Sequence, residues 1–388
     1  MHWVEVEPPV GRRISRSAAT QILRAAIEKS PARRALHERL GGALMEEGKY
    51  RAAIAAFRAR LQAEPAQFTS WGKLAQCHLE IGEPESALEI CGLVHGQGVG
   101  VARARGGALE ALGRSGEALE EYRRAFAEDG KDEAALEAVL RCLCRKSDAA
   151  PLLAFCDALP AATRYEAQRK AFRALAFSRL GRLDEARDLM DPERHAMTFR
   201  FEPPAACGAV EQFSARLAAW LTANTGSVAT PRPDCVIDYG LKYTSAPLLQ
   251  ELHTFFRDSF EAYVAALPAL GLGGLMPPPA AGSLADAVVF LRNEGRNGEH
   301  VHPRSYLSGV YYVQVPETVR TDSDRRGWLA LGRCLNLTAG YEPAWGTRYI
   351  KPEPGMFVVF PSHLFHDVVP TRSNELRISI AVDMRPFA

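Results

Sequence analysis

The sequence predicts an α+β chain of two domains: an all-α solenoid of stacked helix pairs over residues 1–194 and a β-rich jelly roll over residues 195–388. Three observations predict it. Residues from about 15 to 190 are rich in Ala, Leu, Glu and Arg, all strong helix formers, and they carry an internal repeat. After His195 prolines become frequent, and short β-branched or aromatic runs alternate with turn residues. The length of 388 residues suits two or three domains, and a composition of 47% hydrophobic and 24% charged residues is that of a folded chain.

The repeat shows when the turns are aligned. Gly48-Lys-Tyr-Arg-Ala-Ala53 is similar to Gly82-Glu-Pro-Glu-Ser-Ala87, Gly113-Arg-Ser-Gly-Glu-Ala118 and Gly181-Arg-Leu-Asp-Glu-Ala186. The glycines are spaced by 34, 31 and 68 residues, the last being twice 34, with Ser147 near the skipped position. Each Gly ends a first helix in a left-handed cap, and the small residue five positions on lets two helices approach closely. Phe57 and Phe126 are expected to face the next repeat, and Pro65 to stop a second helix. This period and content resemble the tetratricopeptide repeat (TPR), in about five degenerate copies. The resemblance implies a concave surface for a peptide or protein; the competing reading is a scaffold or homodimer arm. The cysteines, His37, His78 and His95 of this half are expected to be packing or surface residues.

In the second half a helix is expected over 246–266, with apolar positions at helical spacing. Strands follow at Val288–Leu291, Leu307–Val315, Trp328–Leu331, Met356–Phe360 and Leu376–Val382, separated by turns such as Pro354-Gly355 and Ser373-Asn374. Short strands with turns between them suit a sandwich or jelly roll.

Composition excludes several classes. Lys+Arg 47 against Asp+Glu 46 leaves a net charge of +1, too little for a protein that grips nucleic acid by bulk charge. The apolar runs are short, so no membrane span is expected. The N-terminal MHWVEVEPPVGRR has acids and a proline pair where an export signal needs an apolar run, so a cytoplasmic protein is expected, with its eight cysteines reduced. No CxxC pair occurs, which argues against a cysteine zinc site.

Four of the ten histidines are His300, His302, His363 and His366. Residues i and i+2 of an extended segment share a face, so His300 and His302 project together. His366 follows a second strand that a neighbouring position could bring to the pair. Three converging imidazoles suit Fe(II), with Zn or Cu as competitors. In Leu376–Asp383 the alternation puts Arg377 and Ser379 on one face, and an Arg aimed into a barrel needs an anion such as a dicarboxylate.

The ordered set His300-Val-His302-Pro303, Leu307-Ser-Gly-Val-Tyr-Tyr312, Pro354-Gly355, Phe360-Pro-Ser362, His366, Pro370 and Arg377-Ile-Ser379 resembles the Fe(II)/2-oxoglutarate-dependent oxygenases. It is most similar to the branch with the HxHP…SGVYY…FPS…H…RIS pattern, over roughly residues 285 to 385. The resemblance implies a double-stranded β-helix with Fe(II) at its mouth, 2-oxoglutarate chelating the metal, and O2 as oxidant. Succinate and CO2 would be formed as a substrate C–H bond is hydroxylated. His300, His302 and His366 would be the metal ligands, Arg377 would hold the far carboxylate, and Ser379, Tyr311 or Asn293 would assist. Most of the superfamily has a carboxylate where this chain has His302. Either three imidazoles bind the metal, or His302 turns away and a water, Glu299 or Asp367 completes the set. His363 is expected at the surface or lining the substrate.

The expected activity is therefore hydroxylation of a peptide or protein presented by the repeats. A cupin-like three-His dioxygenase without 2-oxoglutarate is a second reading, although the glutamate it requires is missing from Pro303 to Tyr306. A non-catalytic scaffold with a decayed barrel is a third.

Overall fold

The structure is a computed structural model and describes residues 2–4, 16–30, 33–95, 97–160, 163–224, 234–239, 241, 246–321 and 323–387. Most of the N-terminal stretch discussed above therefore lies outside the described residues. By contacts the chain divides into two compact units, Gly11–Lys146 and Met1–Val10 with Ser147–Ala388. Helix gives way to strand near the expected boundary of 194/195, but the contacts part earlier, at Ser147. The glycine-turn signature lapses at this same position.

The first unit holds α1 (Arg16–Lys29), α2 (Ala35–Glu46), α3 (Tyr50–Ala63), α4 (Phe68–Glu80), α5 (Pro84–Leu93), α6 (Val99–Ala111), α7 (Ser115–Glu128) and α8 (Glu133–Cys144). Gly48, Gly82 and Gly113 all have φ between 70° and 78°, as does Gly181 in the other unit. Nothing would obstruct a side chain at these four positions, so the backbone angle is the reason for glycine. Ala53, Ala87, Ala118 and Ala186 are fully buried, as the repeat requires. Phe57 lies against Gly41 of its own helix pair, where a Cβ would come within 2.6 Å of the ring. Tyr122 stands in the same relation to Gly106, so Tyr122 is the counterpart of Phe57. Phe126 is instead half-buried beside Ala102, Ala125 and Ala135.

The second unit begins with α9 (Ala150–Ala158), α10 (Thr163–Arg179) and α11 (Leu183–Leu189). Two further helices, α12 (Val210–Asn224) and α13 (Pro247–Ala266), cover a sheet; α12 was not expected from the sequence. The short α14 (Glu317–Thr321) lies between two strands. The strands are β1 (His2–Trp3), β2 (Met197–Arg200), β3 (Cys235–Tyr239), β4 (Ala281–Leu291), β5 (Leu307–Gln314), β6 (Leu329–Leu331), β7 (Arg348–Ile350), β8 (Met356–Pro361), β9 (His366–Val368) and β10 (Arg377–Phe387). The larger sheet runs β1-β4-β10-β5-β8-β2, with β3 also pairing β4, and the smaller runs β7-β6-β9. Together they form the jelly roll, a double-stranded β-helix. No helix among the described residues is long and apolar enough to cross a membrane.

Strand alternation sorts the large sheet into two faces. Val288, Phe290, Tyr311, Val313, Phe357, Ile378 and Ile380 pack on one side against Phe213, Leu217, Phe256 and Phe260 of α12 and α13. Each fully buried aromatic or aliphatic side chain there contributes about 1.5–3 kcal/mol. Their neighbours Val289, Ser308, Val310, Phe360, Arg377, Ser379 and Ala381 line the interior.

Candidate functional site

The segment carrying His300 and His302 runs antiparallel to the start of β9. His300 and His366 exchange two backbone hydrogen bonds of 3.1 Å, and His302 N–H donates to Ser362 O at 2.9 Å. This pairing brings the third imidazole to the first two. His302 Nε2 lies 3.2 Å from both His300 Nε2 and His366 Nε2. Two ligand nitrogens each about 2.1 Å from one ion stand about 3.0–3.4 Å apart, so this spacing matches a shared metal. The three donor atoms all lie within 4.8 Å of one another.

The far side of each ring settles which nitrogen faces the centre. His300 Nδ1 is 2.6 Å from Gly298 O, and His366 Nδ1 is 2.9 Å from Leu364 O. His302 Nδ1 is 2.8 Å from the Asp383 carboxylate. Carbonyl and carboxylate oxygens only accept, so each Nδ1 carries the hydrogen and each Nε2 turns a lone pair inward. Burial lowers His300 to about 4, with His302 adding to the effect. Burial also holds His366 well below its ordinary range, reinforced by His300 and His302. Neutral imidazoles are the ligand-competent form.

Glu299 and Asp367 do not join this ring. Glu299 accepts from the backbone N–H groups of Asn336 and Leu337. The Asp367 carboxylate pairs with Arg333 at 3.6 Å, and burial raises its pKa to about 6.

Arg377 is fully buried in the same cavity as the three histidines. Its Nε donates to Gly327 O at 3.2 Å and its Nη1 to Ser379 Oγ at 3.1 Å. The buried Nη2 closes no hydrogen bond of normal geometry among the described residues, and the Tyr312 side chain is the polar group that interacts with the guanidinium. The Tyr312 ring lies 5.1 Å from the guanidinium. A buried cation with an unsatisfied donor calls for an anion, and a carboxylate supplies both the charge and the acceptor. The donor set thus fits both a divalent metal and a dicarboxylate.

Two expected assistants stand elsewhere. Tyr311 is on the opposite face of β5, packed 5.5 Å from Phe256 and 6.2 Å from Phe201, ring centre to ring centre. Neighbouring residues of a strand alternate faces, so Tyr312 occupies the interior side in its place. Asn293 does not line the cavity. It sits at φ 48° in the turn after β4, where its side chain donates to Asp234 at 2.9 Å. His363 is neither exposed nor in the cavity: it is buried, with Nε2 2.7 Å from Leu189 O at the end of α11. Phe172 of α10 packs edge-on against Phe365, at 5.4 Å between centroids, so the last helices back the loop that carries His366.

Sequence reasoning missed Asn297 and Asp383. Asn297 lines the cavity with Nδ2 3.3 Å from His300 Nε2. Asp383 shares the parity of Arg377, Ser379 and Ala381, so the alternation that identified Arg377 could also have identified Asp383. Burial pushes the Asp383 carboxyl up, but His302 and Ser308 outweigh it and the net direction is down.

Residues 288–383 match the family model described as "Putative 2OG-Fe(II) oxygenase", and residues 44–104 match the tetratricopeptide repeat model. No curated protein matches the chain. Among solved structures, a prolyl-4-hydroxylase from Pseudomonas putida is 16% identical, covering 50% of this chain and 94% of its own, at a TM-score of 0.32. A tetratricopeptide repeat protein from Parabacteroides merdae is 19% identical, covering 45% of this chain and 70% of its own, at 0.36. The second TPR domain of human RPAP3, in complex with an HSP70 peptide, is 24% identical, covering 29% of this chain and 98% of its own, at 0.26. These scores are all below 0.5, so the family models carry the assignment. The chain thus carries a segment similar to the 2-oxoglutarate-Fe(II) oxygenases, residues 288–383, together with one similar to tetratricopeptide repeats, residues 44–104.

Proposed function

We propose that the chain is an oxygenase that hydroxylates a side chain of a peptide or protein, which the repeats help to present. One observation supports the oxygenase chemistry above the rest: three imidazole Nε2 atoms converge in the cavity that also holds a fully buried arginine with an unsatisfied donor. His300, His302 and His366 would hold Fe(II), and Arg377 with Ser379 would hold the far carboxylate of 2-oxoglutarate. When bound, this pair supplies the oxidation of a C–H bond by O2, with 2-oxoglutarate converted to succinate and CO2. The chain's own part is positioning. The Gly298 and Leu364 carbonyls and the Asp383 carboxylate fix the rings. Val289, Leu329, Phe360 and Val368 form apolar walls that limit water. A three-His dioxygenase without 2-oxoglutarate would leave Arg377 without a purpose.

The repeat segment supports a macromolecular substrate, because stacked helix pairs present an extended surface suited to a peptide. The test is incubation with Fe(II), 2-oxoglutarate and candidate peptides. Succinate formation that rises with one peptide, together with a product heavier by one oxygen atom, is the expected result. Turnover that ignores 2-oxoglutarate would reject the cosubstrate; succinate release indifferent to every peptide would reject the substrate class.

A further inference from the structure

Three neutral imidazoles leave a divalent ion with one more unit of positive charge than two imidazoles and a carboxylate would. The structure places a carboxylate one residue further out. The Asp383 carboxylate lies 2.8 Å from His302 Nδ1, on the side of the ring away from the cluster. Its register across the sheet explains the position: Asp383 pairs with Ser308 of β5, and Ser308 Oγ donates to Asp383 Oδ1 at 2.7 Å. Ser308 Oγ is in turn 2.9 Å from Ser362 Oγ, one residue past β8 and at the start of the loop to His366. Among the described residues no Lys or Arg pairs with Asp383; its ring partner is the neutral His302 imidazole. A mostly buried carboxylate with no cation paired to it acts on the imidazole through a medium of low dielectric.

We propose that Asp383 is a positioning residue that replaces the missing ligand carboxylate: it supplies its negative charge through His302 instead of by direct contact with the metal. The proposal rests on the reading of the three imidazoles as an Fe(II) site. Three consequences follow for the chain. His302 is held in one tautomer, its Nε2 becomes a stronger donor, and the charge at the site returns toward that of a carboxylate-containing set. Ser308 fixes the carboxylate and carries no charge itself.

The test uses the full chain with Co(II) and Fe(II) as probes. Asp383→Asn keeps the shape and an acceptor oxygen but removes the charge. It should weaken Co(II) binding by about 10–100-fold and raise the Fe(III)/Fe(II) potential. In a His302→Asp background the ligand position carries its own charge, so Asp383→Asn should cost nothing or strengthen binding. Wild-type affinity and potential in Asp383→Asn would overturn the proposal, and so would an equal loss in both backgrounds, which marks a merely structural role. Should Asp383→Asn not fold, Ser308→Ala replaces it. A loss of under tenfold in Co(II) affinity supports the proposal, and an unchanged affinity overturns it. A wild-type chain that binds no Co(II) would instead overturn the metal reading on which the proposal stands.

Discussion

Arg377 and His366 show what single residues contribute. Removing the Arg377 guanidinium should affect only the cosubstrate, because no metal donor touches it. Arg377→Ala is expected to raise the 2-oxoglutarate dissociation constant by about 30-fold or more, since truncating one partner of a buried charged pair costs about 2–5 kcal/mol. Metal affinity should stay nearly intact, and calorimetry with each ligand separates the two. Tyr311→Phe serves as the contrast: its ring belongs to the core between sheet and helices, so 2-oxoglutarate affinity should not change. His366→Ala removes one of three donors and should abolish both metal binding and turnover. A variant that kept full metal occupancy would take His366 out of the ligand set. The choice between Tyr311 and Tyr312 was not legible in the sequence, because alternation says that one looks inward but not which. That is decided by the β-bulge between Ile378 and Ser379 and by the register that pairs Ser379 with Tyr312.

Among the elements, the helical repeats were read from their turns, and the four glycines with positive φ explain why. A left-handed residue at a helix end is a local demand, visible wherever it recurs. Close approach between helices is less visible. A Cβ at Gly72 of α4 would come within 2.6 Å of the Gly100 backbone in α6. Gly72→Ala should therefore destabilise the Gly11–Lys146 unit by about 1–3 kcal/mol, because backbone cannot step aside as a side chain can. Gly42, with nothing within 4 Å, is the opposite case. Gly42→Ala should stabilise by roughly 0.5–1 kcal/mol through helix propensity alone. Denaturant unfolding followed by helical circular dichroism distinguishes the two. In the other unit the short β7 and β9, three residues each, carry too little pattern to be read in advance, and α12 was obscured by the prolines around it.

At the scale of the whole molecule, buried histidines link stability to pH, and two of them, His363 and His195, stand outside the cavity. Burial lowers His363 from its ordinary 6.5 to about 3, helped by Lys170, and lowers His195 to about 4, helped by Arg194. The unfolded chain takes up protons below about pH 6.5 that the folded chain refuses until much lower pH. The stability that His363 provides is thus complete above pH 6.5 and declines with acid, by about 1.4 kcal/mol per pH unit at most, until the pH nears 3. His363→Phe should lower stability at neutral pH by leaving Leu189 O unpaired. It should also flatten the slope between pH 6 and 4, measured by urea unfolding across that range; an unchanged slope would assign the linkage to other groups.

Sequence alone determined the two kinds of architecture, the shared face of His300 and His302 and the shared face of Arg377 and Ser379, because each follows from a short-range period: 34 residues for the repeats, two for the strands. Only the tertiary structure decided that His302 faces the cluster, that Asp383 stands behind it, and that His363 ties α11 to the loop before β9. Each of these depends on which distant strands and helices become neighbours, and a local period carries no information about that pairing.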